Sequence, residues 1–191
     1  MSRYYYFVAT LPTLELGSPA PMTSAEFLER SQRFLAAEDF AVIHAATLIS
    51  GVDGPPPACA ASPLLTGYYS WERSVRNELV RLRARRLERA ADPWIRSAGR
   101  DDAASRAAQA AFQASHPLEA ELILERERWE RIRTLKSLHF FDLELIAAYR
   151  LELQIIERLA RLRDVEGEKR YRATYAAILG SSQSTESGAK Q

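Results

Sequence analysis

The chain has 191 residues, 47% of them hydrophobic and 27% charged, with a net charge of +1. A chain this long buries roughly 70% of its unfolded surface, so one domain can hold together without disulfide or metal staples. The single Cys59 excludes an internal disulfide and fits a reducing, cytoplasmic setting. No signal-peptide core follows Met1. The longest nearly apolar run, Phe40 to Ile49, has ten residues, against the roughly 20 that a membrane span needs. The expectation is a soluble protein that meets a membrane only through partners. Charge is unevenly spread: residues 71–100 carry 9 basic and 4 acidic groups, a local excess of +5.

Tyr4 to Leu11 is rich in aromatics and ends at Pro12. It reads as an extended segment or a short helix, because no second strand exists to pair with it. Thr23 followed by Glu26 is a capping-box signal, and Phe27, Leu28, Phe34 and Leu35 give a helix over about 24–36. Asp39 caps a second helix, about 40–49, with Phe40, Ile43 and Thr47 on one side. Residues 50–67, with two glycines before a triple proline at 55–57, read as a long loop. Ser70 then caps a helix over 71–91 with a stripe of Trp71, Val75, Leu79 and Leu82, stopped by Pro93. Asp101 and Asp102 open an Ala-rich helix to about Ser115, and His116-Pro117 ends it and starts the next.

From Leu118 to Arg163 there is neither Gly nor Pro. Unbroken, that helix would be about 69 Å long, against a domain width of about 40 Å. Either it breaks near Thr134 and Ser137, or it projects. Nine of the fifteen residues from Glu119 to Arg133 are charged, which predicts an exposed arm. Residues 138–162 are the opposite. Leu138, Phe141, Leu145, Tyr149, Leu153, Ile156 and Leu159 recur at gaps of three and four, and Phe140, Leu143, Ile146, Leu151 and Ile155 widen the apolar surface. A helix apolar on most of its circumference is enclosed by others. The fold class is therefore all-α, an irregular helical bundle around a long C-terminal helix, within one domain over 1–179. A last helix is expected over 168–179 and a disordered tail over 180–191.

Chemistry-bearing patterns are scarce. There is no phosphate-binding Gly-rich loop with Lys-Ser/Thr and no Gly-x-Ser-x-Gly elbow. None of His44, His116 and His139 has Glu three residues before it, so the Glu-x-x-His of di-iron bundles is absent and no metal or cofactor is expected. The unusual positions are charges on apolar stripes: Glu78 and Arg85 beside Trp71, Val75 and Leu82, with Arg86 and Arg89 flanking, and Asp142 and Glu152 beside Leu145 and Tyr149. Unpaired buried charges are costly. The expectation is that an arginine of 85, 86 or 89 pairs with Asp142 or Glu152 and fixes the helix register. Arg73, Arg76, Arg81 and Arg83, with Trp129, are the candidate interaction surface. Nucleic acid is not the expected partner, because the arginines point all round the helix and no aromatics are interleaved for base stacking. An enzyme site built from Glu78, Asp142, Glu152 and Tyr149 is the reading from a different class.

Several blocks together resemble a known bacterial family. They are Tyr4-Tyr5-Tyr6-Phe7-Val8-Ala9-Thr10-Leu11-Pro12 with Pro21-Met22-Thr23; Trp71-Glu72-Arg73 with Arg76-Asn77-Glu78-Leu79 and Arg83-Ala84; and Phe140-Phe141-Asp142-Leu143-Glu144 with Tyr149, Leu151, Leu153, Gln154 and Arg158. The family is encoded beside V-type ATP synthase subunits. It is similar to a short, divergent form of the helical subunit that links the central shaft of those enzymes to the membrane rotor ring. The resemblance implies a non-catalytic peripheral subunit or assembly factor of a V-type rotary ATPase, partnered by shaft or rotor-ring subunits at the inner face of the membrane. The alternative is a cytoplasmic helical adapter unrelated to the ATPase.

Overall fold

Leu143–Leu162 forms the helix that the others surround, here α7. Its buried set runs almost continuously from Ile146 to Leu153 and on through Ile155, Ile156 and Leu159. In this computed structural model, residues 3–51, 54–99 and 101–162 are described. The segments expected as a last helix at 168–179 and a tail at 180–191 lie outside them. The described residues are all-α: α1 (Arg3–Ala9), α2 (Ser24–Phe34), α3 (Ala37–Ala45), α4 (Pro63–Arg86), α5 (Asp102–Phe112), α6 (Pro117–Leu135) and α7, with short 3-10 turns at Pro57–Ala61 and Asp92–Trp94.

α1 is a short helix, not an extended segment. Its Phe7 is fully buried and starts an aromatic ladder. The Phe7 ring lies 5.8 Å from Phe27 of α2, which stacks 5.3 Å from Tyr149 of α7. The Tyr149 hydroxyl donates to Pro12 O at 3.0 Å, and the Tyr4 hydroxyl donates to Asp39 of α3 at 2.6 Å. The capping box of α2 forms as its sequence specifies, Thr23 bonding Glu26 N and Glu26 bonding Thr23 N. α3 begins three residues earlier than expected, with Ala36 at its cap and Asp39 inside the first turn. The turn after α3 is pinned by Gln154 of α7, which accepts from Leu48 N and donates to Ala46 O, and by Tyr68 of α4, which donates to Leu48 O.

The expected long loop is shorter than its proline content suggests. α4 starts at Pro63, not Trp71, because Ser62 caps it through Leu65 N and Pro63 takes the first-turn position. The loop that remains packs Cys59 inward, where burial pushes its thiol up. α4 ends at Arg86 instead of reaching residue 91, through Glu88 in the left-handed region (φ 52°) and a bond from Arg89 N to Ala84 O. α4 and α7 start side by side, since Glu144 accepts from Ser62 Oγ and from Leu64 N. α6 runs against both, with Glu72–Arg128, Arg158–Glu121 and Lys136–Glu152 as successive ties. α5 packs on α4 and α6.

The break between α6 and α7 falls where the sequence places it. Lys136 caps α6, Ser137 Oγ donates to Thr134 O, and Asp142 accepts from Leu145 N at the head of α7. The break removes Leu138, Phe140 and Phe141 from the buried stripe expected over 138–162: they are 85%, 67% and 48% exposed.

Candidate functional site

The charges of α6 do not all face water. Glu125 and Arg128 are three residues apart and share the inner face with Leu124, Trp129 and Ile132. Arg128 donates from Nε and Nη2 to both oxygens of Glu72 on α4, at 3.2 and 3.1 Å, and from Nη1 to Glu125 at 2.8 Å. Glu72 and Glu125 are 1% and 0% exposed. Arg158 of α7 joins from the far side: its Nη2 donates to Glu121 at 2.9 Å, and its Nε lies 2.7 Å from Glu125 without hydrogen-bond alignment. Arg76 closes the other end, its Nε 3.3 Å from Glu72. Burial pushes the Glu125 carboxyl up, and Arg128 and Arg158 only partly offset it. Burial also works against the Arg128 charge, but Glu72 outweighs it and holds the guanidinium protonated more firmly than usual. One arginine thus stitches α4 to α6, and a second stitches α6 to α7.

That network differs from the expected ion pairs. Glu152, 2% exposed, pairs with Lys136 from the α6–α7 turn, and burial raises its carboxyl despite that partner. Glu78 pairs with Arg81 on its own helix at 3.0 Å. Asp142 is a half-buried N-cap with His139 Nδ1 at 2.7 Å. Arg85, Arg86 and Arg89 reach neither Asp142 nor Glu152. They sit at or just past the C-terminal end of α4, where Arg86 lies over the Phe112 ring of α5 at 6.0 Å, while the start of α7 lies beside the start of α4. Glu78, Asp142, Glu152 and Tyr149 therefore do not converge on one site. Trp129 is 4% exposed and belongs to the core, because it lies on the same face of α6 as Ile132, so it offers no interaction surface. Arg81 and Arg83 are exposed, whereas Arg73 and Arg76 fold against neighbouring backbone, bonding Ser97 O and Ser50 O at 3.1 Å each. Among the described residues, no cluster of His, Cys, Asp and Glu could hold a metal ion, and no helix is long and apolar enough to cross a membrane.

The surface feature that asks for a partner is aromatic. Tyr5 and Tyr6 on α1 are 49% and 58% exposed, and the Tyr5 ring meets Phe141 at 4.8 Å. Tyr5 also packs edge-on against Tyr6 at 5.8 Å. With Phe140 and Leu138 in the same α6–α7 turn, this makes five large apolar side chains exposed in two adjoining segments. The turn that presents them is anchored: Lys136 points inward to Glu152, His139 N donates to Lys136 O at 2.9 Å, and Asp142 caps α7. A run of exposed aromatics held on a fixed turn is the signature of a contact surface, not of a loose loop. Sequence periodicity assigned Leu138 and Phe141 to the core and so concealed this patch. The signal that could reveal it is the Ser137–Asp142 pair of helix-breaking and helix-capping residues, which cuts the stripe at its start.

No family model, curated protein or solved structure matches the chain.

Proposed function

We propose that the chain is a non-catalytic peripheral subunit or assembly factor of a bacterial V-type rotary ATPase, at the cytoplasmic face of the membrane, and that it docks through the α1 and α6–α7 aromatic patch. One observation carries this reading: two of the blocks that resemble the ATPase-associated family, Tyr4 to Pro12 and Phe140 to Glu144, meet at the patch through Tyr5 and Phe141. The large apolar residues that these blocks expose are aromatic, where burial in a partner would gain free energy and exposure to water gains none. The Glu72–Arg128–Glu125 network and the Gln154 clamp fix the scaffold behind it. A preorganised scaffold keeps the ordering cost of docking low.

The test is an affinity pull-down from native membranes at moderate salt, with mass spectrometry of what co-purifies. V-type ATPase subunits recovered in fixed ratio are the expected result. Recovery of soluble partners alone would replace this reading with that of a helical adapter.

A further inference from the structure

A second surface lies at the C-terminal end of α4. Every residue from Arg85 to Ala90 is exposed, so the end of the helix projects. Six arginines fall between Arg81 and Arg96, and all six are exposed. Arg81 pairs with Glu78, which leaves five arginines against Glu88 and Asp92, a local charge of +3. Two large apolar side chains sit among them, Leu87 at 65% and Trp94 at 72% exposed. At 100° per residue, Arg83 and Leu87 both point within about 60° of the direction of Val80 on α4. Trp94 borders the same face, since Val80 and Trp94 wall one hollow. The chain that carries Trp94 is fixed. Asn77 of α4 clamps the Arg96 backbone in both directions, donating to Arg96 O at 2.7 Å and accepting from Arg96 N at 3.0 Å. Glu88 in the left-handed region and the bond from Arg89 N to Ala84 O fix the turn where the helix stops.

Cations in the last turn complement the negative end of a helix, which accounts for Arg83, Arg85 and Arg86. It does not account for Arg89 and Arg96 beyond the helix, nor for a leucine and a tryptophan left in water among them. An anionic bilayer surface matches both features. Guanidinium groups fork onto phosphate oxygens, and a helix with a cluster of arginines is drawn to the negative potential of such a surface. Leucine and tryptophan bury at the headgroup boundary, whereas an acidic protein surface answers the charges alone. We propose that this end of α4, through Arg83, Arg85, Leu87, Arg89, Trp94 and Arg96, docks directly on an anionic phospholipid surface, with Leu87 and Trp94 entering the headgroup layer. The docking is independent of the ATPase reading, because lipid alone is the partner and no residue of the aromatic patch takes part.

The experiment is co-sedimentation of the full chain at low salt with vesicles of phosphatidylcholine alone or with about 30% phosphatidylglycerol, read together with tryptophan fluorescence. Trp71 and Trp129 are 2% and 4% exposed, so Trp94 is the indole whose surroundings change on docking. The chain is expected to bind the anionic vesicles and not the neutral ones, with a blue-shifted emission and Trp94 shielded from acrylamide. Raising the salt to about 0.5 M releases it. Arg83→Gln, Arg85→Gln and Arg89→Gln together are expected to weaken partitioning about a hundredfold, roughly fivefold for each arginine removed, with unchanged circular dichroism melting. Leu87→Ser with Trp94→Ser weakens it by about tenfold and leaves a salt-sensitive remainder. Absence of binding to the anionic vesicles, equal binding to neutral ones, or binding unaffected by the arginine variant overturns the proposal. Binding that leaves Trp94 as open to acrylamide as in water overturns the headgroup contact, and binding to polyglutamate but not to vesicles replaces lipid with an acidic protein partner. Loss of vesicle binding in Phe140→Ser would move the contact to the aromatic patch and overturn the assignment to α4.

Discussion

Arg128→Met removes the cation between two sealed carboxylates. Glu72 and Glu125 are 1% and 0% exposed, and Arg128 makes three hydrogen bonds to them. Methionine fills similar volume, so the loss is electrostatic and not a cavity. Breaking a buried pair costs about 3–5 kcal/mol. Each carboxylate keeps one contact, Glu72 with Arg76 at 3.3 Å and Glu125 with Arg158 at 2.7 Å, which places the cost near the lower end, about 3 kcal/mol. Against a total stability of about 5–15 kcal/mol this is a large fraction. At about 2 kcal/mol per molar urea, the midpoint should fall by about 1.5 M, and the melting temperature by about 6–12 °C. The assay is urea unfolding followed by circular dichroism at pH 8. Because the orphaned carboxylates can take up protons, the deficit should shrink at pH 5. A second variant tests the cause: Glu72→Leu, Glu125→Leu and Arg128→Met together should recover most of the loss, since an apolar replacement of the buried Glu72–Arg128–Glu125 set is close to neutral. A midpoint for Arg128→Met within about 0.2 M of the parent would refute the claim that the network is held by its charges.

Other outcomes follow from the same contacts. Lys136→Met strands Glu152 and should cost about 3 kcal/mol in urea unfolding, and Lys136→Met with Glu152→Met should restore most of it. Glu125 and Glu152 have carboxyls raised by burial. Between the ordinary carboxylate range and those raised values, the folded state holds protons that the unfolded state has lost. Stability should therefore fall as pH rises through that window, and urea midpoints measured from pH 4.5 upward should decline less steeply in the Glu125→Gln, Glu152→Gln double variant. Glu88→Gly places glycine at a left-handed position and should raise stability by about 0.5–1 kcal/mol in thermal unfolding. Leu138→Ser, at an 85% exposed position, should change stability by less than about 0.5 kcal/mol, whereas a core position at the head of α7 would lose several times that.

Much of the architecture is legible in the sequence, for identifiable reasons. α7 declares itself because its apolar residues cover most of a helix, and the break after α6 follows from a length that no domain of this size can hold straight. The Thr23–Glu26 box and the His116-Pro117 start are local signals whose partners lie within three residues. What escapes is non-local or disguised. Ser62-Pro63 is an N-terminal helix signal hidden among loop-like prolines. Glu72 and Arg128 are 56 residues apart, so each reads alone as a solvated charge. Glu125 and Arg128 complete a buried stripe on α6 that a count of apolar residues cannot contain. Leu138, Phe140 and Phe141 continue the period of α7 through a stretch that is not helical, so a periodic pattern placed them in a core they do not enter. The clamp of Asn77 on the Arg96 backbone joins α4 to a segment some 20 positions later.

The most direct measurement of the docking proposal is site-specific photo-crosslinking. A photoreactive phenylalanine analogue is placed at position 140, and a control at exposed Arg83, in cells that express the native complex. The expected result is a covalent adduct from position 140 to a V-type ATPase subunit, absent from position 83. Adducts at 83 but not 140, or adducts at 140 only to proteins outside the ATPase, would contradict it.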